Sequence, residues 1–331
     1  MTRSNRRVGA RLWGWIVAMA AALVLWTAFP SVASATEGRP EGWEVGRATE
    51  HVMLGRMELR WEPAVAKEAA FLREHAPQWW AEIERAVAVD LDDTLVVTFV
   101  DHAGGVAEAS GMPRWVAGVA HPPTGRIMIA RHGPDGSRTD LANLLKHEMA
   151  HVALHRAAGG AELPRWFHEG MAESLAGGIS LSRAQTLASA VFGPGIPKLE
   201  RLESAFREHD AQRVSMAYAA SRDLVTHLRY RDGTGAQLKQ VLSELRRGHS
   251  LEASFVRAYG LGLHELVNEW REGLPARFIW YAMLASGGLP FMLVVPLVAV
   301  AWIRRRRVLR RGWERLERED ALAYGFELQP T

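Results

Sequence analysis

The chain has 331 residues, which is enough for one domain of ordinary size with flanking segments. It contains no cysteine, so disulfide cross-links, cysteine nucleophiles and cysteine metal ligands are excluded. The net charge is +3, but residues 1–35 carry +4 and residues 304–331 carry +3, which leaves −4 for the chain between them. Because the basic charge lies in the flanks, no nucleic-acid partner is predicted.

The N-terminal segment has the layout of a secretory signal. Four arginines among the first eleven residues precede an uncharged run over 12–29, and A-S-A follows at 33–35. A basic region, an apolar core and small residues at a cleavage site are the parts of such a signal. Residues 1–35 are therefore predicted to be a signal peptide. Because the apolar run is long, an uncleaved N-terminal anchor is the alternative.

The next hundred residues carry short extended patterns and one helical pattern. Strands are predicted at 52–61 and 94–100, a helix at 63–87, and a β-hairpin with arms at 115–120 and 126–130. Two glycine-containing stretches, 104–105 and 133–136, are predicted to be turns.

Residues 140–156 carry the most informative pattern. Asp140 can cap a helix, and the apolar residues that follow recur with helical spacing, which predicts an amphipathic helix. Within it, His147, Glu148 and His151 form the string H-E-x-x-H. Two imidazoles four residues apart lie on one helical face, so both can bind one metal ion. Glu148 then projects beside the metal, where it can take a proton from a bound water.

A catalytic zinc ion usually takes three protein ligands and a water, so a third ligand is required. Pro164 fits the start of a second helix over 165–176, which offers Glu169 and His168. His155 lies about 12 Å along the first helix from His147, and His168 points about 100° away from Glu169. Glu169 is the preferred third ligand, with His155 and His168 as alternatives.

The pattern after 177–178 is almost wholly helical. The predicted helices span 181–192, 198–208, 217–229, 235–247, 251–258 and 262–272. A small mixed sheet before the H-E-x-x-H helix and a helical region after it predict an α+β domain over 36–277.

An uncharged run of 26 residues, 278–303, is long enough to span a bilayer with some tilt. Six arginines between 304 and 311 follow at once, so the tail 304–331 is predicted to be cytoplasmic. The domain before the span would then lie outside the cytoplasm. The Ala- and Arg-rich composition is typical of a bacterium with a GC-rich genome, which predicts a single-pass protein of a bacterial cell membrane.

Two blocks of sequence carry a family resemblance. HEMAH at 147–151, followed by LPRWFHEGMAES at 163–174, resembles the gluzincin metallopeptidases, in particular the peptidase MA-like group related to the aminopeptidase N branch. That group follows H-E-x-x-H with W-x-x-E-G-x-A. Four residues match this second block one for one: Trp166, Glu169, Gly170 and Ala172. The resemblance implies a zincin-like α+β fold and one Zn²⁺ per chain.

The resemblance also assigns individual roles. It implies Glu169 as the third zinc ligand and Glu173 as the acidic residue that orients a ligating histidine; an ordinary solvated glutamate is the alternative for Glu173. Tyr218, in AYAAS at 217–221, resembles the tyrosine with which related enzymes stabilise an oxyanion, and a packing aromatic is its alternative. The G-x-M-E-N-like string of true aminopeptidases is absent, and His168 stands where relatives often carry Asn or Ser.

Together these features predict a membrane-anchored, extracytoplasmic zinc metallopeptidase acting on peptides or proteins, with Glu148 as general base. An intramembrane protease is disfavoured because the motif helix carries charged residues. A zinc-stabilised binding or scaffold domain without turnover is the alternative from another class.

Overall fold

The structure, a computed structural model, describes residues 48–88, 94–112, 114, 116–177, 181–208, 210–285, 297–298 and 300–307. The predicted signal peptide lies outside them. The chain divides into two compact units, Met1–Leu274 and Pro275–Thr331.

A five-stranded mixed sheet lies in the N-terminal half of the first unit, with strand order β1-β2-β3-β5-β4. The strands are β1 Glu50–Leu54, β2 Met57–Trp61, β3 Leu95–His102, β4 Gly118–His121 and β5 Arg126–His132. The central strand β3 is parallel to β2 and β5, whereas the two edge strands β1 and β4 are antiparallel to their neighbours.

The prediction of one strand over 52–61 is wrong. The chain reverses after Leu54 and forms a hairpin of β1 and β2 instead. Gly55 at the reversal has φ 65°, a left-handed conformation that glycine adopts without steric penalty. The predicted hairpin further along is confirmed, since β4 and β5 pair antiparallel.

Besides the helical residues 297–298 and 300–307, ten helices have their limits within the described residues. They are α1 Ala66–Val87, α2 Ala103–Ser110, α3 Leu141–Ala157, α4 Arg165–Ala176, α5 Leu181–Val191, α6 Leu199–Ala205, α7 Ala211–Tyr230, α8 Ala236–Arg246, α9 Leu251–Tyr259 and α10 Leu263–Ala285. Short 3₁₀ turns, Pro63–Val65 and Pro122–Thr124, precede α1 and β5. The small sheet followed by many helices is the predicted α+β architecture.

The helix α2 was not predicted, because its glycines 104–105 were interpreted as a turn. Ala103 and Val106 are buried in a hydrophobic cluster that includes Val100 and Met128 of the sheet. Burial of these side chains therefore outweighs the poor helix propensity of glycine. The predicted turn at 133–136 is confirmed, with the Gly133 nitrogen donating to the Ser137 carbonyl at 2.9 Å.

The H-E-x-x-H helix α3 differs from the predicted amphipathic helix. Its N-cap is Asp140, as expected, and the carboxylate accepts a hydrogen bond from the Asn143 nitrogen at 3.2 Å. However, every residue over 147–154 is buried. Elements α1, α4, β4 and β5 all pack on α3, so it is a central helix with no solvent face over this stretch.

Two later helices differ from prediction in their limits. The helix α7 begins at Ala211 instead of 217, because Asp210 caps it by accepting from the Gln212 nitrogen at 2.9 Å. The helix α10 continues to Ala285 instead of ending at 272. No helix in the described part of the chain is long and apolar enough to cross a membrane. Part of the predicted span, residues 286–296 and 299, lies outside the described residues.

Candidate metal centre

Three potential metal ligands meet between α3 and α4. The Nε2 atoms of His147 and His151 lie 3.1 Å apart. The Oε2 atom of Glu169 lies 3.7 Å from the first and 3.8 Å from the second. Ligands about 2.0–2.1 Å from a tetrahedral zinc ion are spaced roughly 3.3 Å apart. The triangle therefore has nearly the size that such an ion requires.

The burial of these groups also fits a cation. Each of the three residues is at most 7% exposed. Among the described residues, the Glu169 Oε2 has no hydrogen-bond partner. Burial raises the pKa of Glu169 to about 8, although the charges of Arg165 and Arg183 act in the opposite direction. Burial lowers the pKa of His147 to about 3 and that of His151 well below its usual value, so both imidazoles are neutral, the form that binds metals.

The helix α4 is positioned by a carboxylate from outside it. Pro164 precedes the helix and provides no side-chain cap. Instead, Glu203 of α6 accepts hydrogen bonds from the backbone nitrogens of Arg165 and Trp166, both at 3.1 Å. This contact satisfies two N–H groups at the start of the helix that carries Glu169. No sequence motif had indicated Glu203.

Gly170, directly after Glu169, allows α4 and α7 to touch. A Cβ atom at this position would lie 2.5 Å from the carbonyl oxygen of Ser221 and 2.6 Å from Cγ2 of Val225, both on α7. Only glycine fits so close to another backbone. The two residues of the E-G pair therefore serve different purposes, since Glu169 provides a carboxylate and Gly170 provides space.

Glu173 lies one helical turn beyond Glu169 and is 6% exposed, so it is no solvated glutamate. Its Oε1 lies 3.9 Å from the Nδ1 atom of His147. Its Oε2 forms an ion pair with Arg183 of α5. This arrangement brings the carboxylate to the ring nitrogen of His147 that faces away from the ligand triangle. Arg183 was missed in the sequence because no motif surrounds it.

Tyr218 of α7 also reaches the site. Its side chain is 4% exposed, and its hydroxyl has no hydrogen-bond partner among the residues described. Burial, reinforced by the charge of Glu169, raises the pKa of Tyr218 well above its usual value. The ring packs edge-on against Phe206 with centroids 5.1 Å apart, and the Arg183 guanidinium lies 5.6 Å from its centroid. The hydroxyl is therefore a protonated donor held in place by its ring.

Glu148 follows His147 on α3 and faces the edge strand β4. It is 5% exposed, and burial raises its pKa to about 8. A Cβ atom at Gly118 of β4 would lie 3.0 Å from the Glu148 Oε1 and 2.6 Å from Cδ1 of Leu144. The φ of Gly118 is not positive, so what a larger residue would meet there is limited space, and the Leu144 and Glu148 side chains would have to shift. The predicted hairpin was right, but the sequence did not indicate this contact.

A sequence model of the peptidase MA superfamily matches residues 88–276, more than half of the chain. The chain belongs to the peptidase MA superfamily. This confirms the resemblance drawn from the two sequence blocks. Peptidases of this superfamily are generally metal-dependent, so the chain carries a metallopeptidase-type domain. A search of curated proteins gave no match.

The other histidines considered as ligands lie outside the triangle. Within the described part of this peptidase MA domain, the groups able to hold an ion include neither His155 nor His168. His168 instead stacks on His151, with ring centroids 4.5 Å apart and planes 8° from parallel.

A second group of potential ligands, Asp101, His102 and His132, lies at the ends of β3 and β5. The Asp101 Oδ1 already contacts the Arg131 guanidinium at 2.7 Å and the His132 Nδ1 at 3.0 Å. A guanidinium on the carboxylate opposes a cation at the same oxygen. In this peptidase MA domain, the buried triangle between α3 and α4 is the better metal site.

Proposed function

We propose that this protein is a membrane-anchored, extracytoplasmic zinc metallopeptidase. One observation carries the catalytic part of the proposal. Two neutral imidazole nitrogens converge next to Glu148 with a carboxylate oxygen that has no hydrogen-bond partner among the described residues. A site with one carboxylate and two histidines, and no sulfur ligand, suits Zn²⁺ in a hydrolase.

In this proposal His147, His151 and Glu169 hold the ion. When bound, Zn²⁺ acidifies a water and polarises the scissile carbonyl. Glu148 accepts the proton of the attacking water and then donates it to the leaving amine. Its raised pKa favours both halves of this transfer, because a group that titrates near the working pH can both take and return a proton.

Two further residues assist these groups. The Tyr218 hydroxyl, which lacks a partner among the described residues, donates a hydrogen bond to the oxyanion of the tetrahedral intermediate. Glu173 lies 3.9 Å from the Nδ1 of His147, and a hydrogen bond formed between them on metal binding would fix the tautomer in which Nε2 is free to bind metal.

The Glu148→Gln variant tests the mechanism. We expect it to bind one zinc ion per chain, since the amide leaves the three ligands in place, and to lose cleavage of a broad peptide library. The control is Glu82→Gln, which changes an exposed glutamate of α1 and should cleave as the wild type does. Full activity in Glu148→Gln, or the same activity with a chelator present, would refute the mechanism.

The same experiment separates catalysis from a structural zinc site. A zinc-stabilised scaffold would bind the ion and cleave no peptide in the wild type as well. The presence of Glu148, which a structural site does not require, favours the enzyme.

The location is proposed from the sequence flanks. The signal-like segment 1–35 and the uncharged run 278–303 with its trailing arginines support a domain outside the cytoplasm, held by the C-terminal span.

A further inference from the structure

The two proposed histidine ligands differ in the surroundings of their second ring nitrogen. The Nδ1 of His147 faces Glu173 at 3.9 Å. The Nδ1 of His151 is buried and has no hydrogen-bond partner among the described residues. A metal-binding histidine almost always donates this N–H to a carboxylate or a carbonyl, and the bond fixes the orientation of the ring. For His151 this usual restraint is missing.

The ring of a histidine rotates easily about its Cβ–Cγ bond, since that torsion has broad wells. Something other than a hydrogen bond must therefore keep the His151 Nε2 directed toward Glu169. The nearest flat surface is the ring of His168, which lies 4.5 Å away at 8° from parallel. His168 belongs to α4 and His151 to α3, so the stack joins the two helices that supply the ligands.

We propose that His168 is a positioning residue whose ring, stacked on His151, sets the plane of that imidazole and directs its Nε2 at the metal. The inference rests on the proposed metal centre.

The stacked geometry also argues against His168 as a ligand. The lone pair of an imidazole nitrogen lies in the plane of its ring. Because the two planes are nearly parallel and stacked, an ion in the plane of His151 lies off the plane of His168. Both nitrogens cannot then bind one ion with good geometry.

Three substitutions of His168 distinguish the effect of its flat ring from the effect of its ring nitrogens. His168→Phe keeps an aromatic face and has no nitrogen, His168→Leu fills the space without a flat face, and His168→Ala removes both. Zinc affinity is measured on the full chain by competition with a chromophoric chelator, and the absorption bands of the Co²⁺ form report ligand geometry. Thermal unfolding of each metal-free variant shows that it folds. His227→Ala, a half-buried histidine of α7, is the control.

We expect His168→Leu and His168→Ala to lose about tenfold or more in zinc affinity, the effect typical of groups that orient a ligand. Their Co²⁺ bands should shift, whereas His168→Phe and His227→Ala should match the wild type in both measurements. If His168→Ala does not fold, the zinc affinities of His168→Phe and His168→Leu are compared with each other, and their difference tests the proposal. Equal losses in the Phe and Leu variants, or no loss in either, would overturn the proposal. A wild type that binds no zinc would overturn the metal centre itself.

Discussion

At the scale of single residues, the site buries several ionisable side chains. Glu148, Glu169 and Glu173 are each at most 6% exposed, and the arginines nearby are Arg165 and Arg183. Burial lowers the pKa of Arg183 to about 10, which shows how strongly the site excludes solvent. When all three are ionised, these carboxylates exceed the two guanidiniums by one negative charge, which favours binding of a cation.

Metal binding should depend on pH through Glu169. Its pKa of about 8, raised by burial, means that below pH 8 the ion must displace a proton. Affinity should therefore fall as the pH falls, by about tenfold per unit between pH 8 and 6, and level off above pH 8. The titration is best made in Glu148→Gln, which removes the neighbouring carboxyl that also titrates near pH 8. An affinity independent of pH over this range would contradict the assignment of Glu169.

Tyr218→Phe should lower kcat about 100-fold with little change in KM, because it removes one oxyanion donor. The stability should be unchanged, since the hydroxyl has no partner among the described residues. Tyr259→Phe is the matched control. Its hydroxyl donates to the Leu228 carbonyl at 2.8 Å, so this variant should lose about 1 kcal/mol of unfolding free energy and keep its activity. Undiminished kcat in Tyr218→Phe would leave Tyr218 as a packing residue.

At the scale of elements, the site depends on three helices, of which α4 packs against both α3 and α7. The helix α3 supplies His147, Glu148 and His151, α4 supplies Glu169, and α7 supplies Tyr218. Their spacing follows from glycine at 170 between α4 and α7, and from glycine at 118 between β4 and α3. A side chain at either position would separate elements that contribute to one site.

Gly170→Ala should therefore lower both stability and activity. Its Cβ would meet the Ser221 backbone, which has no freedom to rotate away, so α7 must shift and carry Tyr218 with it. We expect a loss of about 1–3 kcal/mol in denaturant unfolding together with reduced kcat. The control is Gly273→Ala in α10, where the added Cβ contacts nothing within 4 Å. That variant should gain up to about 1 kcal/mol from helix propensity. Equal stabilities of the two variants would contradict the close approach of α4 and α7.

At the scale of the whole molecule, the flanks are predicted to decide where the enzyme works. The full chain, expressed in bacteria, should sediment with membranes, and protease added to spheroplasts should digest the catalytic domain. The double variant Leu293→Arg with Val294→Arg places two charges in the uncharged run. Each charge costs about 3 kcal/mol of insertion free energy at the centre of a membrane span. That double variant should move to the soluble fraction, whereas Val256→Arg, at an exposed position of α9, should not. A protease-protected, soluble wild type would contradict the proposed location.

Much of the site could be predicted because its information is local. Helical spacing places His147 and His151 on one face, and the second block places Glu169 on the next helix. The fold class followed from the order of extended and helical patterns. The errors also have local causes: a glycine at 55 splits one expected strand, and glycines at 104–105 fold into a helix because neighbouring side chains are buried in the core.

The sequence by itself determined the chemistry, since residue type and helical period decide which groups can share one metal ion. Only the tertiary structure decided what surrounds them. Arg183 contacts Glu173, Glu203 caps α4, and His168 stacks on His151 through contacts between separate elements. Such contacts depend on how helices pack in three dimensions, and a one-dimensional pattern carries no record of that packing. The burial that sets the pKa values of Glu148 and Glu169 arises in the same way, because it comes from the elements packed around α3.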